Sequence, residues 1–356
     1  MRILIDIGHP AHVQLFKNFA WEMEKREHKV LFTTRDKEMT VYLLKQYGFE
    51  YLSLGKHYKT LKGKIWGLIK YDFLMYNVAR KFKPDIFLSA GSVYAAHVVF
   101  LFRKPHISLE DTGNMEQIRL YKPFTKIILT SYSFHRNLGK KQIRYGGYHE
   151  LAYLHPNWFK PNPDILDILG VSKDEKYVIM RFVSWSASHD VGHSGLSLEM
   201  KRRAVKELSK YAKVFISSEE ELSDDLKPYQ IKIPPEKMPD ALYYATLYIG
   251  EGATMASECA MLGTPAIYIN PLPAGTIEDQ ENYGLLFHYK EATDISEKAN
   301  ELLSIPDIKQ EWQKRRQKML TEKIDVTAFM VWFVENYPES VQVMRENPVE
   351  TQKQFL

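Results

Sequence analysis

The stretch YIGEGATMASECAMLGTPAIYIN, residues 248–270, decides the fold. An apolar run ends at Gly250, a helical pattern follows over 254–262, and Leu262-Gly263-Thr264-Pro265 leads into a second apolar run over 265–269. Short, uninterrupted apolar runs on either side of a helix predict a β-α-β unit whose strands are buried on both faces of a parallel sheet. Ligands of such sheets bind beyond the carboxyl ends of the strands, so the turn after Gly250 is where chemistry is expected. Gly252 and Ala253 let the backbone approach a ligand closely, Thr254 is expected to cap the helix, and the N–H groups of Ala253, Thr254 and Met255 suit a phosphate. Glu258 lies one turn beyond Thr254 on the same face, where a carboxylate can accept hydrogen bonds from a ribose diol. The plainer alternative is a tight strand–helix turn with a solvated glutamate. A later loop gathers Glu278, Asp279, Gln280 and Asn282, the fixed donors and acceptors that a set of sugar hydroxyls requires.

The same alternation extends in both directions. Strands are predicted at 2–7, 29–34, 51–54, 85–89, 106–109 and 126–130, with helices between them. HPNWFKPNPD, residues 155–164, then brings three prolines and two asparagines, the texture of an exposed linker. Strands resume at 177–183, 214–217, 247–250 and 265–269, and helices at 295–303, 308–320 and 326–335 close the chain. The expectation is an α/β protein with an amino-terminal Rossmann-like domain over 1–160 and a second over 161–325. The helix and tail over 326–356 would return to the first domain, and a cleft would lie between the two.

With 356 residues and 45% hydrophobic composition the chain can bury sizeable cores without staples. Its single cysteine, Cys259, cannot form an internal disulfide and suits a reducing, cytoplasmic setting. MRILIDIGHP reads as a first strand rather than a signal peptide, and no run reaches the ~18 apolar residues of a membrane span. A net charge of +4 is too mild to argue for a nucleic-acid partner.

Four more strand-end motifs carry candidate residues. RFVSWSASHDVGHSG, residues 181–195, gathers Arg181, Ser184, His189, Asp190 and His193, a loop suited to a diphosphate. A metal reading of its His-x-x-x-His lacks a third ligand. GHPAHV, residues 8–13, places His9 and then His12 as candidate bases for an acceptor hydroxyl. SAGSVYA, residues 89–95, offers Ser89, Gly91 and Ser92 to an acceptor oxygen or phosphate. LEDTGN, residues 109–114, adds Glu110 and Asp111 as alternative acids.

Gly-Ala-x-x-x-Ser-Glu at 252–258 and Gly-x-Pro-Ala-Ile at 263–267, with the acid/amide cluster at 278–282, resemble the carboxy-terminal domain of MurG-type glycosyltransferases. Those GT-B enzymes in turn resemble UDP-N-acetylglucosamine 2-epimerases. The resemblance implies that Glu258 holds the nucleotide ribose, that Ala253, Thr254 and Met255 meet the diphosphate, and that Asp279 and Gln280 contact the donor sugar. It also implies that the 181–195 loop, which here lacks the usual glycine-rich pattern, faces the diphosphate. MRILIDIGHPAHVQLFKN, SAGSVYAA, RYGGYHELAYLHP and RFVSWSASHDVGHSGLS together resemble the domain-of-unknown-function 354 family, grouped with GT-B proteins by fold.

These readings imply a glycosyltransferase using a nucleotide-sugar, a UDP-sugar first, in surface-polysaccharide or glycolipid synthesis. No Asp-x-Asp motif is present, so neither metal nor cofactor is expected. The alternatives are a nucleotide-sugar 2-epimerase, with Asp111 and His193 as its acid/base pair, and a non-catalytic nucleotide-sugar-binding protein. Residues 56–83 hold eight Lys and Arg against one acid, Asp72, interleaved with Trp66, Ile69 and Phe73. Such a segment suits peripheral contact with an anionic membrane surface, useful for a lipid-linked or glycan acceptor.

Overall fold

The computed structural model describes residues 1–36, 38–56, 61–184, 196–271, 275–291 and 295–356. The chain divides into two compact units, one of residues 1–153 with 323–356 and the other of residues 154–322.

The first unit runs β1 (Arg2–Ile7), α1 (Pro10–Lys25), β2 (Lys29–Asp36), α2 (Glu38–Gln46), β3 (Tyr51–Lys56), α3 (Leu61–Phe82), β4 (Ile86–Ala90), α4 (Val93–Phe102), β5 (His106–Glu110), α5 (Met115–Tyr121), β6 (Ile127–Ser131) and β7 (Gln142–Tyr145). The strands form one parallel sheet in the order β3-β2-β1-β4-β5-β6-β7. The order reverses beside β1, because β2 and β3 lie to one side of it and β4 to β7 to the other. That switch point is where an open α/β sheet leaves room for a ligand. The runs that read as continuously apolar are the central strands: Ile3, Leu4, Ile5 and Ile7 are fully buried, as are Phe87 and Ile107. On one side Leu4 and Phe87 join Tyr71, Met75 and Ala79 of α3 and Ala95, Val98 and Val99 of α4 in one cluster. Strand β7 escapes the sequence reading because its four residues alternate polar and apolar at the sheet edge.

The second unit begins with α6 (Leu151–Leu154), which straddles the boundary, and α7 (Asp164–Leu169). It continues through β8 (Tyr177–Phe182), α8 (Leu198–Leu208), β9 (Lys213–Ser218), α9 (Met238–Tyr244), β10 (Leu247–Gly250), α10 (Ala253–Leu262), β11 (Ala266–Ile269), α11 (Gly275–Asn282), β12 (Leu286–Tyr289), α12 (Ile295–Ser304) and α13 (Ile308–Leu320). Its five strands are parallel in the order β12-β11-β10-β8-β9, so β10 is central. The segment expected as a polar loop is the helix α11: its buried Ile277 and Gln280 face inward at helical spacing, and the acids between them, Glu278 and Asp279, are half-buried.

The closing helices α14 (Val326–Glu335), α15 (Glu339–Glu346) and α16 (Pro348–Gln352) belong to the first unit. Asp325 caps α14 through Ala328 N–H at 2.9 Å, Thr327 Oγ1 donates to Ala152 O at 2.7 Å, and Glu335 meets Arg26 at 3.0 Å and His28 at 3.1 Å. Among the described residues no helix is long and apolar enough to cross a membrane.

Candidate functional site

At the carboxyl edge of the first sheet, β1 ends at Ile7 and Gly8-His9-Pro10 opens α1. His9 is the N-cap, extended at φ −145° and ψ 149°, and its Nδ1 accepts the Ala11 N–H at 3.2 Å. His12, one turn on, accepts the Gly8 N–H at its own Nδ1 at 3.3 Å. A ring nitrogen that accepts an N–H carries no proton, so both neutral rings hold theirs on Nε2. Burial, and then the neighbouring charge of His9, press His12 down to about 3, which keeps its ring neutral. With their protons on Nε2, the neutral rings of the two histidines expected as bases are donors at that nitrogen, which argues against either as the group that takes an acceptor's proton.

Two carboxylates follow β5. Glu110 is spent on its own turn: Oε1 accepts from Thr112 N, Thr112 Oγ1 and Gly113 N, and Oε2 from Tyr121 Oη at 2.6 Å. Asp111 next to it keeps a side chain 45% exposed, with Oδ2 at 3.0 Å from Nδ1 of His149. His149 itself is only 10% exposed. Burial opposes charge on both partners, yet the pairing wins: Asp111 is held down to about 2 by the charge and hydrogen bond of His149 and the charge of His12. His149 is raised by Asp111, with Glu150 and Glu110 adding to the effect. Nε2 of His149 and the phenol oxygen of Tyr145, at the end of β7, are enclosed without a hydrogen-bond partner among the described residues.

The SAGS turn after β4 is accounted for internally. Ser89 Oγ contacts His106 Nε2 at 2.9 Å and accepts from Ser92 N at 3.1 Å. Gly91 adopts φ +71° and donates its N–H to Ser108 Oγ at 2.9 Å. Ser92 Oγ caps α4 through Ala95 N and donates to Asp6 at 2.5 Å. All three are buried, which corrects the expectation that they offer open groups to an acceptor.

At the carboxyl edge of the second sheet, β10 ends at Gly250 and α10 starts at Ala253. The cap is Gly252, with no side-chain hydrogen bond, and not Thr254, which is the exposed second residue of the helix. The N–H groups of Ala253, Thr254 and Met255 precede the helix's first closing bond, Ala256 N to Gly252 O at 3.1 Å. The glycines serve packing: a Cβ on Gly250 would meet Arg181 O at 2.8 Å, and one on Gly252 would meet Arg181 Cγ at 3.3 Å. Arg181 spends its fork on Ser217 Oγ at 2.8 Å and Glu219 Oε1 at 2.7 Å, while Ser184 N and Oγ donate to Glu219 Oε2 at 3.1 Å. Glu258 is buried rather than solvated. Asp279 is half-buried, but Gln280 is fully enclosed and donates to Ser257 Oγ at 2.6 Å, so its amide is turned away from any surface ligand. His189, Asp190 and His193 lie outside the described residues. Among the described residues no three His, Cys, Asp or Glu side chains are grouped to hold a metal ion.

The residues that sequence reasoning passed over are His149 and Tyr145. RYGGYHE does contain the signal, a histidine just past a strand and a glycine pair, but it is visible only once β7 is recognised.

A family described as "Protein of unknown function (DUF354)" matches residues 1–339. An uncharacterised protein of Methanocaldococcus jannaschii is 25% identical over 281 residues, covering 76% of this chain and 82% of its own. Among solved structures, the glycotransferase of kitacinnamycin is similar with TM-score 0.62 at 13% identity, over 94% of this chain and 98% of that one. UDP-GlcNAc 2-epimerase from Neisseria meningitidis, bound to UDP-GlcNAc, is similar with TM-score 0.62 at 15% identity, over 89% of this chain and 94% of that one. The fold class is GT-B: two Rossmann-like α/β units, each with a parallel sheet.

Proposed function

The chain belongs to the DUF354 family, and on that premise we propose that it is a glycosyltransferase-type enzyme that takes a nucleotide-sugar donor on its second unit. The observation that carries this reading is the start of α10: a glycine cap, three N–H groups with no closing bond, and the buried carboxylate of Glu258 one turn further on. The N–H groups suit a diphosphate, and the negative charge that grows on a leaving diphosphate is what fixed dipoles stabilise best. Because Arg181 already faces Glu219, the helix start carries more of that work than the arginine does. The first unit then receives the acceptor hydroxyl at the edge holding His9, His12 and Asp111. UDP-sugars are the first donors to test, since the Neisseria structure is named as bound to UDP-GlcNAc. We assign the acceptor to the glycans or lipid-linked glycans of surface-polysaccharide or glycolipid synthesis. The setting is the cytoplasmic face of a membrane, touched through residues 56–83.

The test is a thermal-shift screen across UDP-, GDP-, CDP- and dTDP-sugars, because a ligand that binds only the folded state raises its apparent stability. One nucleotide class should stabilise the protein, and Glu258→Gln should weaken that binding by about 1–3 kcal/mol. A loss of free-protein stability with unaltered affinity would make Glu258 structural. Incubation of the bound sugar without acceptor separates the alternatives. An epimerised sugar would replace the transferase reading with a 2-epimerase, and binding without turnover on any acceptor would leave a binding protein.

A further inference from the structure

The first unit holds an acid and a histidine whose pairing has no structural payoff of the usual kind. Asp111 is half open at the strand edge, and the imidazole behind it is enclosed, with one nitrogen on the carboxylate and the other on nothing among the described residues. A histidine kept for packing normally satisfies both nitrogens; His106, in the same sheet, does so with Ser89 at 2.9 Å and Thr125 at 2.9 Å. The proton placement also differs across the edge. An ionised carboxylate only accepts, so neutral His149 must carry its proton on Nδ1, the reverse of His9 and His12.

We propose that Asp111 and His12 form a hydroxyl-binding site for a polyhydroxylated ligand, with Asp111 accepting the hydroxyl's hydrogen bond, Nε2–H of His12 donating to its oxygen, and His149 positioning Asp111 from behind. A hydroxyl group donates once and accepts in return, and this edge supplies both complements. The proposal rests on the reading of the first unit as the acceptor side. In the transfer step, the acceptor oxygen forms the bond to the sugar's anomeric carbon as the bond from that carbon to the diphosphate breaks. The diphosphate leaves with the electron pair, and the hydroxyl proton passes to Asp111. His149 is a positioning residue: it holds Asp111 ionised and aimed, and does not touch the ligand. The groups facing it are Asp111, Glu110 and Glu150 on the acidic side and His12 on the other.

The experiment is nitrogen-15 histidine spectroscopy on the full-length protein, with ring signals assigned through His149→Gln, His12→Gln and His9→Gln. Neutral His149 should carry its proton on Nδ1 and titrate above the ordinary histidine value, whereas neutral His9 and His12 should carry theirs on Nε2. In Asp111→Asn the His149 midpoint should fall, since the charge and hydrogen bond of Asp111 are lost while burial still opposes the protonated ring and only Glu150 and Glu110 remain to raise it. A proton on Nε2 of His149, or an unmoved midpoint in Asp111→Asn, overturns the pairing. Methyl β-glucoside serves as the hydroxyl probe. It should shift the His12 and His149 signals together in the wild type and neither in Asp111→Asn, and uniform shifts of all the histidines overturn the binding site. Failure of every nucleotide-sugar to bind would remove the transferase reading alone, because the ring measurements need no donor.

Discussion

The carboxylate of Asp6 lies fully buried at the end of β1 and receives Thr33 Oγ1 at 2.8 Å, Arg35 Nη1 at 2.9 and 2.7 Å, and Ser92 Oγ at 2.5 Å. Arg35 is itself buried and stacks 5.0 Å over Tyr94, so neither charge has water as a substitute partner. A buried pair is costly to break from one side, because the remaining charge is stranded. Arg35→Met should therefore cost about 3–5 kcal/mol in urea unfolding. Asp6→Asn with Arg35→Met should recover part of that loss, and strict additivity of the two single changes would deny the coupling. In the sequence Asp6 reads only as an interruption of an apolar run, because its partners lie 27, 29 and 86 residues away. Asp111 stood out by its place after a strand, yet what it does depends on a histidine that the chain brings to it from beyond β7, two strands away at the sheet edge. Candidate residues at strand ends were legible at this scale. Which of them are open, and which nitrogen of each ring holds the proton, was not.

Helix starts set the chemistry of both edges, and each is capped differently. Ser92 closes α4 with its own hydroxyl, Gly252 opens α10 with no side chain, and His9 caps α1 with one ring nitrogen and, when neutral, carries its proton on the other. The two functions of His9 can be separated. His9→Ala removes both and should destabilise the first unit by about 1 kcal/mol, the scale of a lost cap. His9→Asn keeps a capping oxygen but lacks a group reaching where Nε2 sits, so its melting temperature should return to near that of the wild type while any contribution to turnover stays lost. Full activity in a stable His9→Asn protein would reduce His9 to a cap. The β-α-β unit around α10 was legible because buried parallel strands and a capped turn leave a local signature. The capping residue was misread by two positions, since Thr254 has the better side chain for the role but the backbone turns at Gly252. Helix α11 was missed because only two of its eight residues are buried, too few to mark a face.

The alternation of strands and helices made two parallel sheets legible across the whole molecule, and the bending of residues 323–356 back to the first unit follows from α14, whose Phe329, Met330 and Phe333 need a buried face. What a sequence pattern could not convey is how far the outer surface of the first unit stays apolar. Trp66, Ile69 and Phe73 recur along α3 and are each more than half exposed, as are Phe100 and Leu101 on α4 and Leu120 on α5. These three helices are consecutive crossovers onto one face of the sheet, and Phe100 touches Phe124 at 6.0 Å, extending the surface past α5. The one acid among residues 56–83, Asp72, is paired with His97 at 2.9 Å, so its charge does little to offset the lysines and arginines around it. Exposed aromatics set in a cation-rich stretch fit the headgroup region of an anionic bilayer, where rings insert shallowly and cations meet phosphates. The whole protein should therefore sediment with vesicles containing phosphatidylglycerol, less so with phosphatidylcholine alone. Binding should fall as salt rises, because exposed charges lose reach once the screening length shrinks to about 8 Å at physiological ionic strength. Replacing Phe73 and Phe100 with Ser should weaken binding at every salt concentration, while replacing Lys70 and Arg103 with Gln should weaken it mainly at low salt. Equal partition onto both vesicle types would remove the electrostatic half of the argument. Loss of vesicle binding in favour of a stable dimer, seen as a doubled mass in sedimentation equilibrium, would give the apolar face to a second copy of the chain instead.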